Sequence, residues 1–142
     1  MRPTKDKYFI QIAEICATRS RDIHTQVGCV IISPNGNIIS TGYNGPPRGV
    51  DDSKVPLTRP EKYTFMVHAE QNCICNAARH GISLDGGIAY VTSIPCVVCL
   101  RGLYQAGITE VVCLDSKSRV FQEEDQKFFD FIKYYIKIRV LK

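Results

Sequence analysis

The chain has 142 residues, 44% of them hydrophobic, with 18 Lys or Arg against 14 Asp or Glu and a formal charge of +4. That length fits one domain spanning residues 1–142 around one core and is short for two. The mild, scattered charge suits a small anionic ligand and argues against a nucleic-acid groove, and no apolar run is long enough to span a bilayer.

Apolar residues at Tyr8, Phe9, Ile12, Ala13, Ile15 and Cys16 recur at helical spacing, which predicts an amphipathic helix over Asp6 to Ser20. Val27 to Ser33 is a nearly continuous apolar run; with the turn signal Pro34-Asn35-Gly36-Asn37 and then Ile38 to Gly42, it predicts a β-hairpin whose strands are apolar on both faces. Tyr43 to Tyr63, rich in Gly, Pro, Asp and Lys, is the longest loop, and loops of this length are commonly functional. A second helix is expected from Met66 to His80, ended by Gly81. A strand at Ile88 to Ser93, a helix at Cys96 to Ala106 and a strand at Glu110 to Leu114 follow. Last come a helix over Phe121 to Tyr135 and an edge strand at Ile136 to Leu141. This order predicts an α/β protein with a mixed sheet covered by helices on both faces.

The first residues, Arg2-Pro3-Thr4-Lys5-Asp6, lack the unbroken apolar stretch of a secretory signal, so the expected compartment is the cytoplasm, or the host cytoplasm for a viral chain. There thiols stay reduced, and seven cysteines, an odd count, point to burial or metal binding and away from disulfides. Cys16, Cys29, Cys73, Cys75 and Cys113 lie in apolar segments and are expected to be small buried hydrophobes.

Cys96 and Cys99 differ. Pro95-Cys96-Val97-Val98-Cys99 opens one predicted helix, and Val67-His68-Ala69-Glu70 opens another. A C-x-x-C at a helix start puts two sulfurs on the first turn, where the positive end of the dipole favours thiolates. One imidazole and two thiolates make three protein ligands for zinc, the catalytic arrangement that leaves a position for water. Glu70, two residues from His68, is the candidate proton shuttle, provided that His68 sits at the helix entrance with non-helical backbone. A structural centre would need a fourth ligand, and neither His24, His80, Cys73 nor Cys75 is well disposed to supply one. H-x-E followed by P-C-x-x-C is the zinc-deaminase signature.

Around this core stand Arg19-Ser20-Arg21-Asp22, Gln26-Val27-Gly28, the loop Thr41-Gly42-Tyr43-Asn44-Gly45-Pro46-Pro47-Arg48-Gly49, the run Val67 to Asn72, and Ala106-Gly107-Ile108. Together, over Glu14 to Val112, they resemble the deoxycytidylate (dCMP) deaminase family. The resemblance implies the cytidine-deaminase-like three-layer α/β/α sandwich with a mixed five-stranded sheet, and conversion of dCMP and water to dUMP and ammonia. It implies a homohexamer, activation by dCTP, inhibition by dTTP, and an effector site at Tyr43 and Gly45, with Mg2+ accompanying a bound triphosphate.

For the substrate, Ala69 lies between ligand and shuttle, and Asn44 is expected at the sugar because an amide can both donate to and accept from a hydroxyl. Arg21 is the first candidate for the 5′-phosphate and Arg119 a weaker one. Residues 50–67 contain neither Cys nor His, unlike viral relatives with a second zinc, so one Zn2+ per chain is expected. The alternatives are a deaminase acting on dCTP as well as dCMP, a tRNA adenosine deaminase, which wants a basic surface and leaves the glycine loop unexplained, and a zinc-stabilised binding module without catalysis, which has no use for Glu70.

Overall fold

The computed structural model describes residues 1–118 and 120–142. Its elements run α1 (Lys5–Ala17), β1 (Gly28–Ile32), β2 (Ile38–Tyr43), α2 (Ala69–Arg79), β3 (Ile88–Val91), α3 (Val97–Gln105), β4 (Glu110–Leu114), α4 (Glu123–Ile132) and β5 (Lys137–Leu141). Short 3-10 turns at Asp52–Lys54 and Glu61–Thr64 punctuate the long loop between β2 and α2. No described helix is long and apolar enough to cross a membrane.

The sheet order is β2-β1-β3-β4-β5. The β2–β1 and β1–β3 pairs are antiparallel and the β3–β4 and β4–β5 pairs parallel. Connection length explains the mixture. A tight turn, in which the Ser33 amide donates to the Asn37 carbonyl and Gly36 takes φ 90°, reverses β1 into β2. The helices α3 and α4 are the crossovers that parallel neighbours need.

Alternation along the strands separates two cores. On one face Val30, Ile32, Tyr90 and Val112 pack under Phe9, Ile10 and Ala13 of α1. On the other, Cys29, Ile31, Ala89, Val91, Val111 and Cys113 pack against α2 (Ala69, Cys73, Ala77), α3 (Leu100, Leu103) and Ile132 of α4. The expected three-layer sandwich is therefore present, with one helix on one side and three on the other. Arg139 of β5 ties the layers at the edge: its Nη atoms donate to Asp6 of α1 at 2.6 and 2.9 Å and its Nε to Glu110 of β4 at 2.6 Å.

Several expectations shift. Only β1 is buried along its whole length; β2 is an edge strand with alternating exposure. The second helix begins at Ala69, three residues later than Met66, because His68 has extended backbone (φ −70°, ψ 156°). Cys75 is exposed and Cys16 half-buried, so two of the five supposed core thiols are not in the core. Cys73 faces the sheet, and two residues further along a helix the side chain points away from it.

Two glycines set the spacing of the layers. A Cβ on Gly28 would lie 1.8 Å from the Ala13 carbonyl oxygen of α1, and one on Gly42 would lie 2.5 Å from the Ala69 carbonyl oxygen and 2.6 Å from the Cys73 nitrogen of α2. Each strand thus meets a helix backbone where no side chain fits. Gly42→Ala is expected to destabilise the fold by at least about 1–3 kcal/mol, the range for overpacking against rigid neighbours. Chemical denaturation reads this directly, and an unchanged midpoint would contradict the close approach of β2 and α2.

Candidate active site

The first turns of α2 and α3 meet at one point. His68 is the N-cap of α2 and Cys96 that of α3, both with extended backbone, and Cys99 lies at the third helical position of α3. The ligand atoms of His68, Cys96 and Cys99 all lie within 4.8 Å of one another. His68 Nδ1 is 3.3 Å from Cys99 Sγ and 3.5 Å from Cys96 Sγ. One imidazole and two sulfurs, gathered at the positive ends of two helices, are a donor set that fits zinc.

Each turn is pinned. The His68 amide donates to Gln71 Oε1 at 3.1 Å, which caps the start of α2. Asp125, buried at the start of α4, accepts from the Val97 amide at 2.7 Å and from the Gln122 amide at 2.7 Å. One carboxylate therefore serves the N-termini of both α3 and α4.

The cluster shares protons unevenly. Cys96 is drawn down to about 4, first by the hydrogen bond from the Cys99 thiol and then, against burial, by that from His68. Cys99 is pushed up by the same hydrogen bond and by burial. His68 is raised by its hydrogen bond to Cys96. Glu70 is 4% exposed, and burial is the main cause that lifts its carboxyl above the ordinary range, as proton shuttling near neutral pH requires.

A cavity opens onto these groups. Its lining includes His68, Ala69, Glu70 and Cys96, then Ser93 and Ile94 from the segment after β3, and residues of the loops before β1 and before α2. Those two loops are joined by a buried ion pair, Lys62 Nζ to Asp22 Oδ2 at 2.6 Å, with the side chains 2% and 4% exposed. Asp22 Oδ1 also accepts from the amides of His24 and Thr25. Burial would raise the Asp22 carboxyl, but Lys62 and these two amides outweigh it and hold it below its usual value.

Of the residues expected at the substrate, Ala69 and Asn44 line this cavity. The Asn44 amide also staples the loop, accepting from the Val27 amide and donating to the Thr25 carbonyl, both at 2.8 Å, and it retains one N–H and one lone pair. Arg21 is not there. It faces a second cavity, where it pairs with Asp52 at 3.3 Å. Asp22 turns inward to Lys62, and its neighbour Arg21 accordingly turns out. Tyr43 and Gly45 line that second cavity with Arg19, Arg48 and Asn72. Arg119 lies outside the described residues.

Sequence reasoning missed Asp22, Lys62 and Arg59 as cavity residues. The available signal was a lysine and an arginine beside aromatic Tyr63 in a loop too long to be a mere connection.

Residues 3–115 match the family model of the cytidine and deoxycytidylate deaminase zinc-binding region. The chain belongs to this deaminase family. It is 37% identical to a probable deoxycytidylate deaminase of Caenorhabditis elegans over 130 residues, 89% of this chain and 65% of that one. To the human deoxycytidylate deaminase it is 36% identical over 117 residues, 78% of this chain and 65% of that one. The chain thus spans 65% of the length of these curated relatives. The crystal structure of the dCMP deaminase from the cyanophage S-TIM5, in complex with dCMP and dUMP, superposes with a TM-score of 0.77 at 25% identity, covering 99% of both chains. The deaminase fold thus extends across nearly the whole of this chain, past the matched region.

Two outcomes test the site. Since the raised Cys99 thiol carries a proton at neutral pH, zinc must displace it, and its apparent affinity is expected to rise with pH, with proton release on binding. Chelator competition and calorimetry in buffers of different ionisation enthalpy measure this, and a flat profile would contradict it. Lys62→Met leaves Asp22 buried without its partner and is expected to cost about 3–5 kcal/mol in urea unfolding, whereas adding Asp22→Asn recovers part of the loss.

Proposed function

We propose that the chain catalyses the zinc-dependent hydrolytic deamination of dCMP to dUMP and ammonia. The observation that carries this reading is the buried Glu70 carboxyl beside the His68, Cys96 and Cys99 donors on one cavity. Its relatives in Caenorhabditis elegans and human carry the deoxycytidylate deaminase name, and the cyanophage dCMP deaminase was crystallised with dCMP and dUMP, which supports the choice of base and sugar.

His68, Cys96 and Cys99 would hold the zinc, which when bound supplies the Lewis acidity that activates water for attack on C4 of cytosine. Glu70 takes one proton from the attacking water on its carboxylate and passes it to N3 of the ring; it then takes the second proton from the new C4 hydroxyl, which becomes the carbonyl, and delivers it to the amine that leaves as ammonia. Burial of Glu70 keeps its carboxyl ready to hold that proton. Ala69 lines the floor between ligand and shuttle, and the free N–H of Asn44 serves a sugar hydroxyl.

The second cavity is the proposed effector site. Arg19, Arg21 and Arg48 gather there around Tyr43 and Gly45 with one facing carboxylate, Asp52, a balance that suits a polyphosphate. dCTP as activator, dTTP as inhibitor, Mg2+ on the triphosphate, a homohexameric assembly and a cytoplasmic location complete the reading.

An ammonia-release assay over dCMP, CMP, dCTP and deoxycytidine, with and without dCTP or dTTP as effector, tests it. dCMP is expected to be the preferred substrate. Glu70→Gln is expected to keep one zinc per chain by metal analysis and to lose about 10²- to 10⁴-fold in kcat, the usual contribution of a general acid–base. Full activity in that variant, or no turnover of any cytosine nucleotide by zinc-loaded protein, would sink the reading.

A further inference from the structure

Arg59 stands in the loop before the 3-10 turn Glu61–Thr64 and lines the same cavity as His68, Glu70 and Cys96. Its Nη2 donates to the Thr25 hydroxyl at 3.1 Å. Its Nε is buried and, among the described residues, has no hydrogen-bond partner. A buried, unsatisfied guanidinium N–H is uncommon, because it loses water and gains nothing in return.

The charges around it sharpen the point. Lys62, the neighbouring cation of the cavity wall, is neutralised by Asp22 at 2.6 Å. Arg21, which is more exposed, is paired with Asp52 across the other cavity. No carboxylate among the described residues lies within ion-pair distance of Arg59. The cavity wall thus presents one net positive charge from Asp22, Lys62 and Arg59, and that charge belongs to a planar fork with an unused donor. A guanidinium whose Nη1 makes no hydrogen bond among the described residues matches the oxygens of a phosphomonoester.

We infer that Arg59 binds the 5′-phosphate of the nucleotide and is the residue that makes the enzyme prefer a monophosphate to a nucleoside. Thr25 holds the guanidinium in place through its hydroxyl. Since Asn44 donates to the Thr25 carbonyl, the phosphate residue and the proposed sugar residue are fixed by one backbone segment. This assignment rests on the dCMP reading for the identity of the ligand, and it takes the role first expected of Arg21.

The test compares zinc-loaded wild type, Arg59→Gln and Arg59→Lys. In Arg59→Gln, kcat/KM for dCMP is expected to fall about ten- to a hundredfold, the range for one charged hydrogen bond, while kcat/KM for deoxycytidine stays within about twofold. Arg59→Lys, which keeps the charge and loses the fork, falls between the two. Calorimetry gives a readout free of turnover: dUMP binds more weakly to Arg59→Gln by the same factor, and deoxyuridine binds equally to both proteins. Equal losses on nucleotide and nucleoside would assign Arg59 a structural role and overturn the inference, as would unchanged dUMP binding. If the wild type turns over no cytosine nucleotide, the dCMP reading fails on its own. Binding of inorganic phosphate to wild type and Arg59→Gln then decides the role of Arg59: weaker binding to the variant upholds it, and equal or absent binding refutes it.

Discussion

Everything at the site depends on two helices beginning at the same place. Here the His68 and Cys96 donors come from N-cap residues whose extended backbone turns them out of the helical array, and Cys99 follows within the first turn. The short segment after β3 leads directly into α3, and the missing Cβ of Gly42 lets α2 lie against the sheet beside it. The positive ends of both helices then act on the same small volume, which favours thiolate at Cys96.

The loop-built part of the cavity lining is organised by a different kind of interaction. Asp22 and Lys62 are 40 residues apart in the chain and form an ion pair in which both partners are almost fully buried. Such pairs add little net stability over an apolar replacement, but breaking one is costly, so they define where two loops must meet. Asn44 and Arg59 attach to the same Thr25 segment by hydrogen bonds. Long loops are ordinarily loose, and this one gains a fixed geometry from polar contacts, with little help from an apolar core.

That division also explains what could be read from the sequence. The zinc donors and Glu70 form two short motifs at helix starts, and local spacing suffices to bring such residues together once the helices pack. The five-stranded mixed sheet followed from the alternation of short strands with helices, and the Glu110–Leu114 strand was placed at its observed bounds. Arg21 was misplaced because adjacent residues in an irregular segment can face opposite ways, and no periodicity reports which one turns inward. Arg59 and Lys62 were overlooked because their meaning comes from partners at Thr25 and Asp22, which only tertiary structure supplies. Cys75 was misjudged for a simpler reason: a small apolar residue on an otherwise buried helix still has a one-in-several chance of lying on the outer face.

Asp125 carries one more consequence. The region matched by the family model ends at residue 115, yet the carboxylate that accepts from the first amide of α3 stands ten residues beyond it. The N-terminus of the sulfur-bearing helix is therefore held by a residue outside the matched region. The segment from 116 onward is a mechanical brace for the sulfur-bearing turn, and evolution can alter how firmly that turn is held by changing residues that never touch metal or nucleotide.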